Sequence, residues 1–343
     1  MAYATINKST DHFNTVLYTG DGTSSRGITG VEFQPDWVWL KARSKANSHI
    51  LIDAVRGQKR LRSDTTGAEA DVSSEFISFD TDGFTVTENA ANEMNNNSTT
   101  YAAWNWKANG AGSANNDGSI TSTVSVNTTA GFSVGTYSAN ATAGATVGHG
   151  LGVAPDMLIV KVRNNSNNWG VYHKKVGATK ALYLDSTSGE TTDGWLNNTA
   201  PGNDVFTLSG GNYGNASGYN LVFYAFTEKT GYSKFGSYTG NGNVDGTFVY
   251  TGFTPAFVMT KRSDSTSDWL ICDNKRPGYN VINKKLFPNQ SQVEDSYDSF
   301  DFVSNGFKIR SSGSGHNASG GTFIYMAFGQ SIVGSNNIPA TAR

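Results

Sequence analysis

The sequence predicts an all-β protein made of three tandem antiparallel β-sandwich modules. A proline-led apolar segment occurs three times along the chain. Asp-Gly and Asn-Gly pairs, a strong signal for hairpin turns, separate runs in which apolar and polar residues alternate. No long segment has the apolar spacing that is typical of an amphipathic helix. Aromatic residues make up 12% of the 343 residues, which is enough to fill several thin cores.

The repeated segment begins with a proline, continues with an apolar run and reaches a lysine six positions after the proline. The prolines are Pro35, Pro155 and Pro255, so the copies lie 120 and 100 residues apart. An arginine follows each lysine one or two positions later. The lysines and arginines are Lys41, Lys161, Lys261, Arg43, Arg163 and Arg262. Repeats at this period indicate serial copies of one unit, and about 100 residues is a typical size for a β-sandwich.

The first copy indicates how the segment folds. Trp37 and Trp39 share one face of a strand with Lys41, whereas Val38 and Leu40 lie on the other face. Because both faces begin apolar, we expect a central strand that is covered on both sides. The proline can only be its first residue, since proline has no N–H to donate to a neighbouring strand.

The module boundaries follow from two further repeated features. Each module opens with a strand that carries an equivalent tyrosine, and each closes with an aromatic residue eleven positions after an asparagine. These residues are Tyr18, Tyr137, Tyr238, Asn95, Asn215, Asn317, Trp106, Phe226 and Phe328. The predicted organisation is an N-terminal arm at 1–12, module 1 at 13–107, a flexible linker rich in Gly, Ala, Asn and Ser at 108–130, module 2 at 131–230, module 3 at 231–330 and a C-terminal tail at 331–343.

Composition argues against several functional classes. Charged residues are only 16% of the chain and the net charge is −2, which does not favour nucleic-acid binding. The five histidines show no paired spacing, and no nucleophile elbow or phosphate-binding loop is found, so we predict no enzyme activity and no cofactor. No window approaches the roughly 18 apolar residues of a membrane span, and the first residues do not resemble a signal peptide.

Two loops offer oxygen atoms that calcium prefers, namely Asp21-Gly22 and the segment 241–246. Both lack the terminal bidentate carboxylate of a calcium loop, so we interpret them as turns and predict no metal site. The single cysteine, Cys272, lies in an apolar run and is predicted to be a small core residue in a protein made in a reducing cytoplasm.

Asp53 and Asp273 occupy equivalent positions, which His173 takes in the second module. One interpretation is a pair of catalytic carboxylates of the kind glycosidases use. The alternative is that they form ion pairs, either with the repeated lysines and arginines or with Arg56 and Arg276, because a charge near a core needs a partner. We favour the structural ion pairs, which would also explain why the lysines and arginines recur.

Aromatic side chains suggest carbohydrate binding, since exposed Trp and Tyr rings stack on sugars. Trp195 and Tyr213 lie in surroundings rich in Gly, Asn and Asp, so we expect them to be the most exposed. Trp169 and Trp269 lie within apolar alternation, where core packing is the competing interpretation. Tyr279 completes the set of candidate glycan contacts.

Several repeated strings resemble a family of repeat proteins found in tailed bacteriophages, particularly marine ones. The strings are Tyr18-Thr19-Gly20-Asp21-Gly22, Gly252-Phe253-Thr254-Pro255, Tyr238-Thr239-Gly240-Asn241-Gly242, Asn215-Ala216-Ser217-Gly218 and Asn317-Ala318-Ser319-Gly320. The resemblance extends over the whole chain. It implies jelly-roll or lectin-like sandwiches, similar to concanavalin or SPRY domains, in a protein of the virion or tail. It carries over no catalytic or ligand residues.

The resulting hypothesis is a structural or adhesive virion protein, such as a tail fibre or tail tip, made in the host cytoplasm. It would form a homo-oligomer, bind other virion proteins and contact host surface polysaccharide. The alternatives are a head-decoration protein without a ligand and a glycan-degrading tail enzyme. We expect the N-terminal arm to be the anchor, because polar arms often become ordered on binding a partner.

Overall fold

The computed structural model describes residues 4–88, 93–211 and 213–333, and these form an all-β structure of antiparallel sheets. Helix is limited there to one 3₁₀ turn at Ser9–Asp11 and one α-helical turn, α1, at Ser314–Asn317. The all-β prediction is therefore confirmed. None of the helical segments in the described residues has the length and apolar character needed to cross a membrane.

Repeat 1, at 13–107, contains nine strands. They are β1 (Phe13–Thr19), β2 (Arg26–Ile28), β3 (Trp37–Ala42), β4 (Ile50–Asp53), β5 (Lys59–Arg60), β6 (Ala70–Asp71), β7 (Phe76–Asp80), β8 (Gly83–Val86) and β9 (Thr100–Trp106). One sheet has the order β1-β9-β3-β4 and a second has the order β2-β8-β7, while β5 and β6 form a separate pair.

Repeat 2, at 131–230, contains eight strands and is preceded by two more. The preceding strands are β10 (Ser113–Asn115) and β11 (Ser122–Asn127). Those of the repeat are β12 (Phe132–Ser138), β13 (Thr146–Gly148), β14 (Met157–Val162), β15 (Gly170–His173), β16 (Lys180–Tyr183), β17 (Thr191–Thr192), β18 (Val205–Thr207) and β19 (Asn220–Phe226). An eight-stranded sheet runs β10-β11-β12-β19-β14-β15-β16-β17, and β13 pairs with β18.

Repeat 3, at 231–330, contains eight strands in two four-stranded sheets. They are β20 (Ser233–Thr239), β21 (Phe248–Tyr250), β22 (Thr254–Arg262), β23 (Trp269–Asp273), β24 (Ile282–Lys285), β25 (Asp295–Val303), β26 (Gly306–Ile309) and β27 (Thr322–Gln330). The orders are β20-β27-β22-β23 and β21-β26-β25-β24.

One pairing pattern recurs in all three repeats. The opening strand pairs with the closing strand, which pairs with the proline-led strand, which pairs with the strand after it: β1-β9-β3-β4, β12-β19-β14-β15 and β20-β27-β22-β23. We call these four strands the central sheet of each repeat. The proline-led strand lies inside the sheet, and β3 and β14 are buried at every position, as predicted from their two apolar faces.

The two faces of each central sheet contact different cores. Val38 and Leu40 pack with Phe84 of β8 in a core that belongs to repeat 1, and repeats 2 and 3 have cores of the same kind. Trp37 and Trp39 face the other way, into one cluster to which all three repeats contribute. We call this cluster the shared core. The sequence predicts serial modules and gives no sign of a core common to them.

Aromatic rings hold the shared core together. Trp37 of repeat 1 stacks on Tyr224 of repeat 2, with ring centroids 4.4 Å apart. The closing aromatic residues also meet there, because the Phe328 ring lies 5.8 Å from that of Trp106 and 6.1 Å from that of Phe226. The three residues that the sequence identified as equivalent therefore converge at the place where the repeats join.

Backbone hydrogen bonds show that the repeats close into a ring. Each junction contains one equivalent bond. The backbone amide of a glutamate in one repeat donates to the backbone carbonyl of another repeat, at the residue two positions after its repeated lysine. These bonds are Glu69 N to Arg163 O at 2.7 Å, Glu190 N to Ser263 O at 2.7 Å and Glu294 N to Arg43 O at 2.8 Å. They join repeat 1 to 2, repeat 2 to 3 and repeat 3 to 1, so no repeat is terminal.

The prediction of a flexible linker at 108–130 is corrected by the structure, because part of this segment is folded. Strands β10 and β11 extend the central sheet of repeat 2, and Ile120 forms a parallel bridge with Val147. Its Gly, Ser and Asn content reflects close packing rather than flexibility: a Cβ on Gly118 would lie 2.4 Å from the Thr146 carbonyl oxygen. Small residues are needed where two backbones approach so closely.

The N-terminal arm is also packed within this chain. Ala4 and Ile6 are buried, Thr5 N donates to Thr230 O at 3.2 Å, and Ser9 N donates to Gln330 Oε1 at 2.6 Å. Residues 4–12 thus need no partner to become ordered, contrary to the expectation for an anchor. Of the C-terminal tail, 334–343 lie outside the described residues.

Replacing Trp37 by Ala should destabilise all three repeats together. Its ring contacts those of Phe132 and Tyr224 in repeat 2 and that of Trp106 in its own repeat, which in turn contacts Phe328 of repeat 3. We expect a loss of about 3–5 kcal/mol in the free energy of unfolding. Urea unfolding followed by fluorescence and circular dichroism should remain one coincident transition with a lower midpoint. Val153→Ala, at a half-exposed site, is the control. Two separate transitions would show that the repeats fold independently.

Candidate functional site

The two equivalent carboxylates lie at junctions between repeats. Asp53 Oδ2 accepts a 2.6 Å bond from Arg56 Nε and a 2.8 Å bond from the hydroxyl of Tyr224 in repeat 2. Asp273 Oδ2 accepts a 2.6 Å bond from Arg276 Nε and a 3.0 Å bond from the indole of Trp104 in repeat 1. Both carboxylates are fully buried. They therefore act as structural ion pairs, and the interpretation as catalytic carboxylates facing a cleft is wrong.

His173 takes the corresponding place at the third junction. Its Nε2 lies 3.3 Å from the carbonyl oxygen of Tyr325 in repeat 3, and its Nδ1 lies 3.2 Å from the amide nitrogen of Lys175. The Lys175 N–H needs an acceptor, which makes Nε2 the protonated nitrogen. Burial lowers the pKa of His173 to about 4. A neutral imidazole thus replaces the ion pair at this junction.

The repeated lysines do not form ion pairs, which corrects that part of the prediction. All three are fully buried and donate to backbone carbonyls. Lys161 Nζ bonds Val162 O at 3.0 Å and Thr66 O of repeat 1 at 2.9 Å, and Lys261 Nζ bonds Arg262 O at 2.7 Å and Thr187 O of repeat 2 at 3.2 Å. Lys41 Nζ bonds Ala42 O at 2.6 Å. Burial lowers the pKa of each lysine to about 8.

The repeated arginines do form ion pairs, and two of them link repeats. Arg43 makes a two-bond contact with Glu294 of repeat 3, and Arg163 makes the same contact with Glu69 of repeat 1, all four bonds being 2.9 Å. Arg262 instead pairs with Asp264 two positions along. Bidentate pairs of this kind fix geometry as well as charge.

The repeated tyrosines and asparagines tie down the loops once considered for calcium. Tyr18, Tyr137 and Tyr238 each donate to the carbonyl that precedes the repeated asparagine, at 2.6, 2.8 and 2.8 Å. Asn95 and Asn317 then bond the backbone and side chains of the Asp21 and Asn241 loops. Asp21 Oδ1 and Asn241 Oδ1 accept from these asparagines, while the second oxygen of Asp21 pairs with Arg26 and the Asp245 carboxylate pairs with Lys308. No group of three or more metal-ligating side chains occurs in the described ranges.

Three of the five predicted glycan contacts are buried and a fourth, Tyr213, is half-buried. Trp169, Trp195 and Trp269 are buried, and the indoles of Trp169 and Trp269 donate across junctions to Arg62 O and Tyr183 O, both at 2.9 Å. The Tyr213 ring packs 5.6 Å from that of Trp195, and its hydroxyl is buried. The polar residues around Trp195 and Tyr213 are turn residues rather than a sign of exposure. Tyr279 is 81% exposed.

Exposed aromatic residues are confined to repeat 3 among the residues whose placement is described. They are Phe248, Tyr250, Tyr279 and Tyr297. The sheet of each repeat that contains the strand equivalent to β21 (β2-β8-β7, β13-β18 and β21-β26-β25-β24) is called its outer sheet. Phe248 and Tyr250 flank the buried Val249 on β21, at the edge of the outer sheet of repeat 3. Cys272, by contrast, is a buried core residue as predicted, and burial raises the pKa of its thiol to about 12.

Strand register shows that these two rings are not required by the fold. Val249 pairs with Phe307, and the equivalent pairs are Ile28 with Phe84 and Val147 with Phe206. All three repeats thus keep a β-branched residue that points into the core. The residues on either side are Gly27 and Thr29 in repeat 1, Thr146 and Gly148 in repeat 2, and Phe248 and Tyr250 in repeat 3. Only the third repeat presents large rings there.

A groove with a volume of about 440 Å³ adjoins Tyr250. It lies where repeat 2 passes into repeat 3, and its lining includes Glu228, Thr230, Lys234, Ser304 and Asn305. This is within the roughly 300–1,000 Å³ typical of ligand pockets. The groove combines one exposed ring with hydroxyl, amide and paired charged groups. We take it, together with Phe248, as the candidate binding surface.

Asp53→Asn should strongly destabilise the protein, because it removes the nearer counter-charge of the buried Arg56 guanidinium, at 2.6 Å, and leaves only Glu69 at 3.4 Å. We expect a loss of about 3–5 kcal/mol in the free energy of unfolding by urea. Asp264→Asn is the matched control, since its pair with Arg262 is partly exposed and should cost no more than about 1 kcal/mol. Equal effects for the two variants would contradict a role for Asp53 at the junction.

Acid should destabilise the protein partly through His173. Its pKa is about 4 in the folded state and about 6.5 when unfolded, so the unfolded chain binds the extra proton as pH falls. The stability that neutral His173 contributes is fully present above pH 6.5 and is lost as the pH falls towards 4. Between pH 7 and pH 5, the free energy of unfolding of His173→Gln should therefore fall by about 2 kcal/mol less than that of the parent protein. Parallel pH profiles from urea titrations would contradict this assignment.

The comparisons with known proteins identify a family without assigning an activity. No curated protein matches the chain. A family model, described as a domain of unknown function (DUF7483), matches residues 8–331 and so covers all three repeats. The chain belongs to this DUF7483 family.

Proposed function

We propose that this protein is a structural and adhesive component of a bacteriophage particle and that it contacts host surface glycans through repeat 3. The observation that carries the proposal is the pair of exposed rings, Phe248 and Tyr250, at positions that the other repeats fill with Gly or Thr. Conserved packing explains Val249 but neither ring. Exposed aromatic side chains beside a polar groove are typical of binding surfaces.

The proposal includes the finer description of the fold. Each repeat is a β-sandwich module of jelly-roll or lectin-like type, formed by its central sheet and its outer sheet around a core of its own. The shared core and the cyclic junction bonds support a rigid body of three modules. A rigid body holds a contact surface at fixed geometry, which suits an appendage such as a tail fibre or tail tip.

Copy number on a particle would supply the strength of attachment. A small groove with a single ring gives weak contacts with a sugar, but several copies on one particle turn weak contacts into strong attachment. This is the reason to expect a homo-oligomer bound to other virion proteins. The resemblance to repeat proteins of tailed bacteriophages supports the same location.

The double substitution Phe248→Thr with Tyr250→Gly tests the proposal, because it installs the residues that repeat 2 carries at the equivalent positions. The fold should tolerate both, and the urea midpoint should change little. Binding of the purified protein to host cells should fall at least about tenfold, as expected when stacking rings are lost. Tyr297→Ser, at an exposed ring that is neither in the candidate binding surface nor among the predicted glycan contacts, is the control.

Electron microscopy of particles labelled with an antibody to the chain decides the location. Label on fibres or at the tail tip, with the loss of cell binding above, supports adhesion. Label over the head, with unchanged binding in the double variant, supports a decoration protein without a ligand and overturns adhesion through repeat 3.

A further inference from the structure

The groove beside Tyr250 contains an amide group that the fold leaves unused. In repeat 1 the equivalent residue is Asp82, whose carboxylate accepts bonds from Gly30 N at 3.1 Å and Glu32 N at 2.7 Å. In repeat 3 the backbone carbonyl of Asn305 takes over this role and accepts from Thr251 N at 3.0 Å and Gly252 N at 3.1 Å. The Asn305 side chain makes no hydrogen bond within the described part of the chain, and it lines the groove.

Hydroxyl groups flank this amide. Thr230 and Ser304 are exposed at the groove, and neither side chain has a hydrogen-bond partner among the residues described. An amide offers two donors and an acceptor at one end of a side chain, and each hydroxyl offers both. The groove thus presents several unpaired donors and acceptors to a ligand.

Tyr250 supplies an apolar platform next to these groups. Its side chain is 62% exposed, and across the sheet it lies opposite Gly306, which has no side chain to cover the ring. Gly252 lies beside the hydroxyl end of the ring, where a Cβ would reach van der Waals contact with the Tyr250 oxygen at 3.5 Å, so the glycine adds no side chain over the ring. One face of the ring can therefore lie flat against a ligand.

The charges of the groove are balanced. Glu228 lies 3.7 Å from Lys234 and 3.0 Å from Lys174, and Lys174 also pairs with Asp156 at 2.8 Å. The lining therefore holds no excess of either sign, and neither an anionic nor a cationic ligand would find a counter-charge that is free. A ligand with many hydroxyls, no net charge and one apolar face matches this lining.

We propose that this groove binds one neutral pyranose ring, with its C–H face on Tyr250 and two adjacent hydroxyls on the Asn305 amide. The Thr230 and Ser304 hydroxyls reach the edge of the same ring. Asn305 is then the residue that determines specificity, because an amide that donates and accepts at once fits a pair of neighbouring hydroxyls. This inference rests on the proposed function and names the ligand class of the same surface.

Titration calorimetry with the full chain tests it. The probes are methyl glycosides and disaccharides of glucose, galactose, mannose and N-acetylglucosamine, with glucuronic acid and glucosamine as charged counterparts. At least one neutral probe should bind saturably and more tightly than its charged counterpart. Asn305→Ala and Tyr250→Gly should each weaken that binding about tenfold or more, with thermal unfolding unchanged in Asn305→Ala. Tyr250→Trp should retain it.

The outcomes distinguish a failure of the pyranose site from a failure of the proposed adhesion through repeat 3. If the parent binds no neutral sugar, or if Asn305→Ala binds as well as the parent, the pyranose site is overturned. Should the Phe248 and Tyr250 double variant still lose cell binding in that case, adhesion through repeat 3 stands and its ligand is of another class. Sugar binding in a protein that shows no attachment to cells would support the groove and overturn adhesion.

Discussion

The structure depends on the burial of aromatic rings from three repeats in one core. Each central sheet has two apolar faces, and only one of them can be covered by the outer sheet of the same repeat. The other face has to find a partner, and the two remaining repeats supply it. Stacking of Trp37 on Tyr224 and the approach of Trp106, Phe226 and Phe328 show how the rings do this. The closed ring of repeats is thus the way this all-β chain avoids exposing large apolar faces.

Polar groups at the junctions make this association specific. The buried Asp53, Asp273, repeated lysines and their arginine partners all have hydrogen-bond partners, which are one another, aromatic side chains of the adjoining repeat, or backbone carbonyls of the same or the adjoining repeat. Apolar rings alone would allow the sheets to slide, whereas bonds such as Tyr224 to Asp53 and Trp104 to Asp273 are satisfied in one arrangement. The neutral His173 at the third junction shows that a junction between repeats can form without a buried ion pair, provided that the imidazole has its hydrogen bonds.

Much of the fold could be predicted from the sequence, and the reason is local. A strand with Trp37 and Trp39 on one face and Val38 and Leu40 on the other must be covered twice, and turn residues mark the strand ends. The partners of the second face are set by contacts between residues of different repeats, which the spacing within one repeat does not encode. For the candidate binding surface, likewise, the local sequence does not show which aromatic rings are exposed. Trp195 in its polar turn is buried, and the exposed Tyr250 becomes notable only when register aligns it with Gly148.

Ring closure also brings the two ends of the described chain together, since the amide of Ser9 donates to the side chain of Gln330 at 2.6 Å. Ser9 and Gln330 consequently lie at one point on the molecule, although they are 321 positions apart in the sequence. The order of the repeats along the chain is then of little structural importance. A circularly permuted protein, cut in a surface loop between two repeats and joined through a short peptide across the old ends, would retain every junction and present the aromatic surface of repeat 3 unchanged.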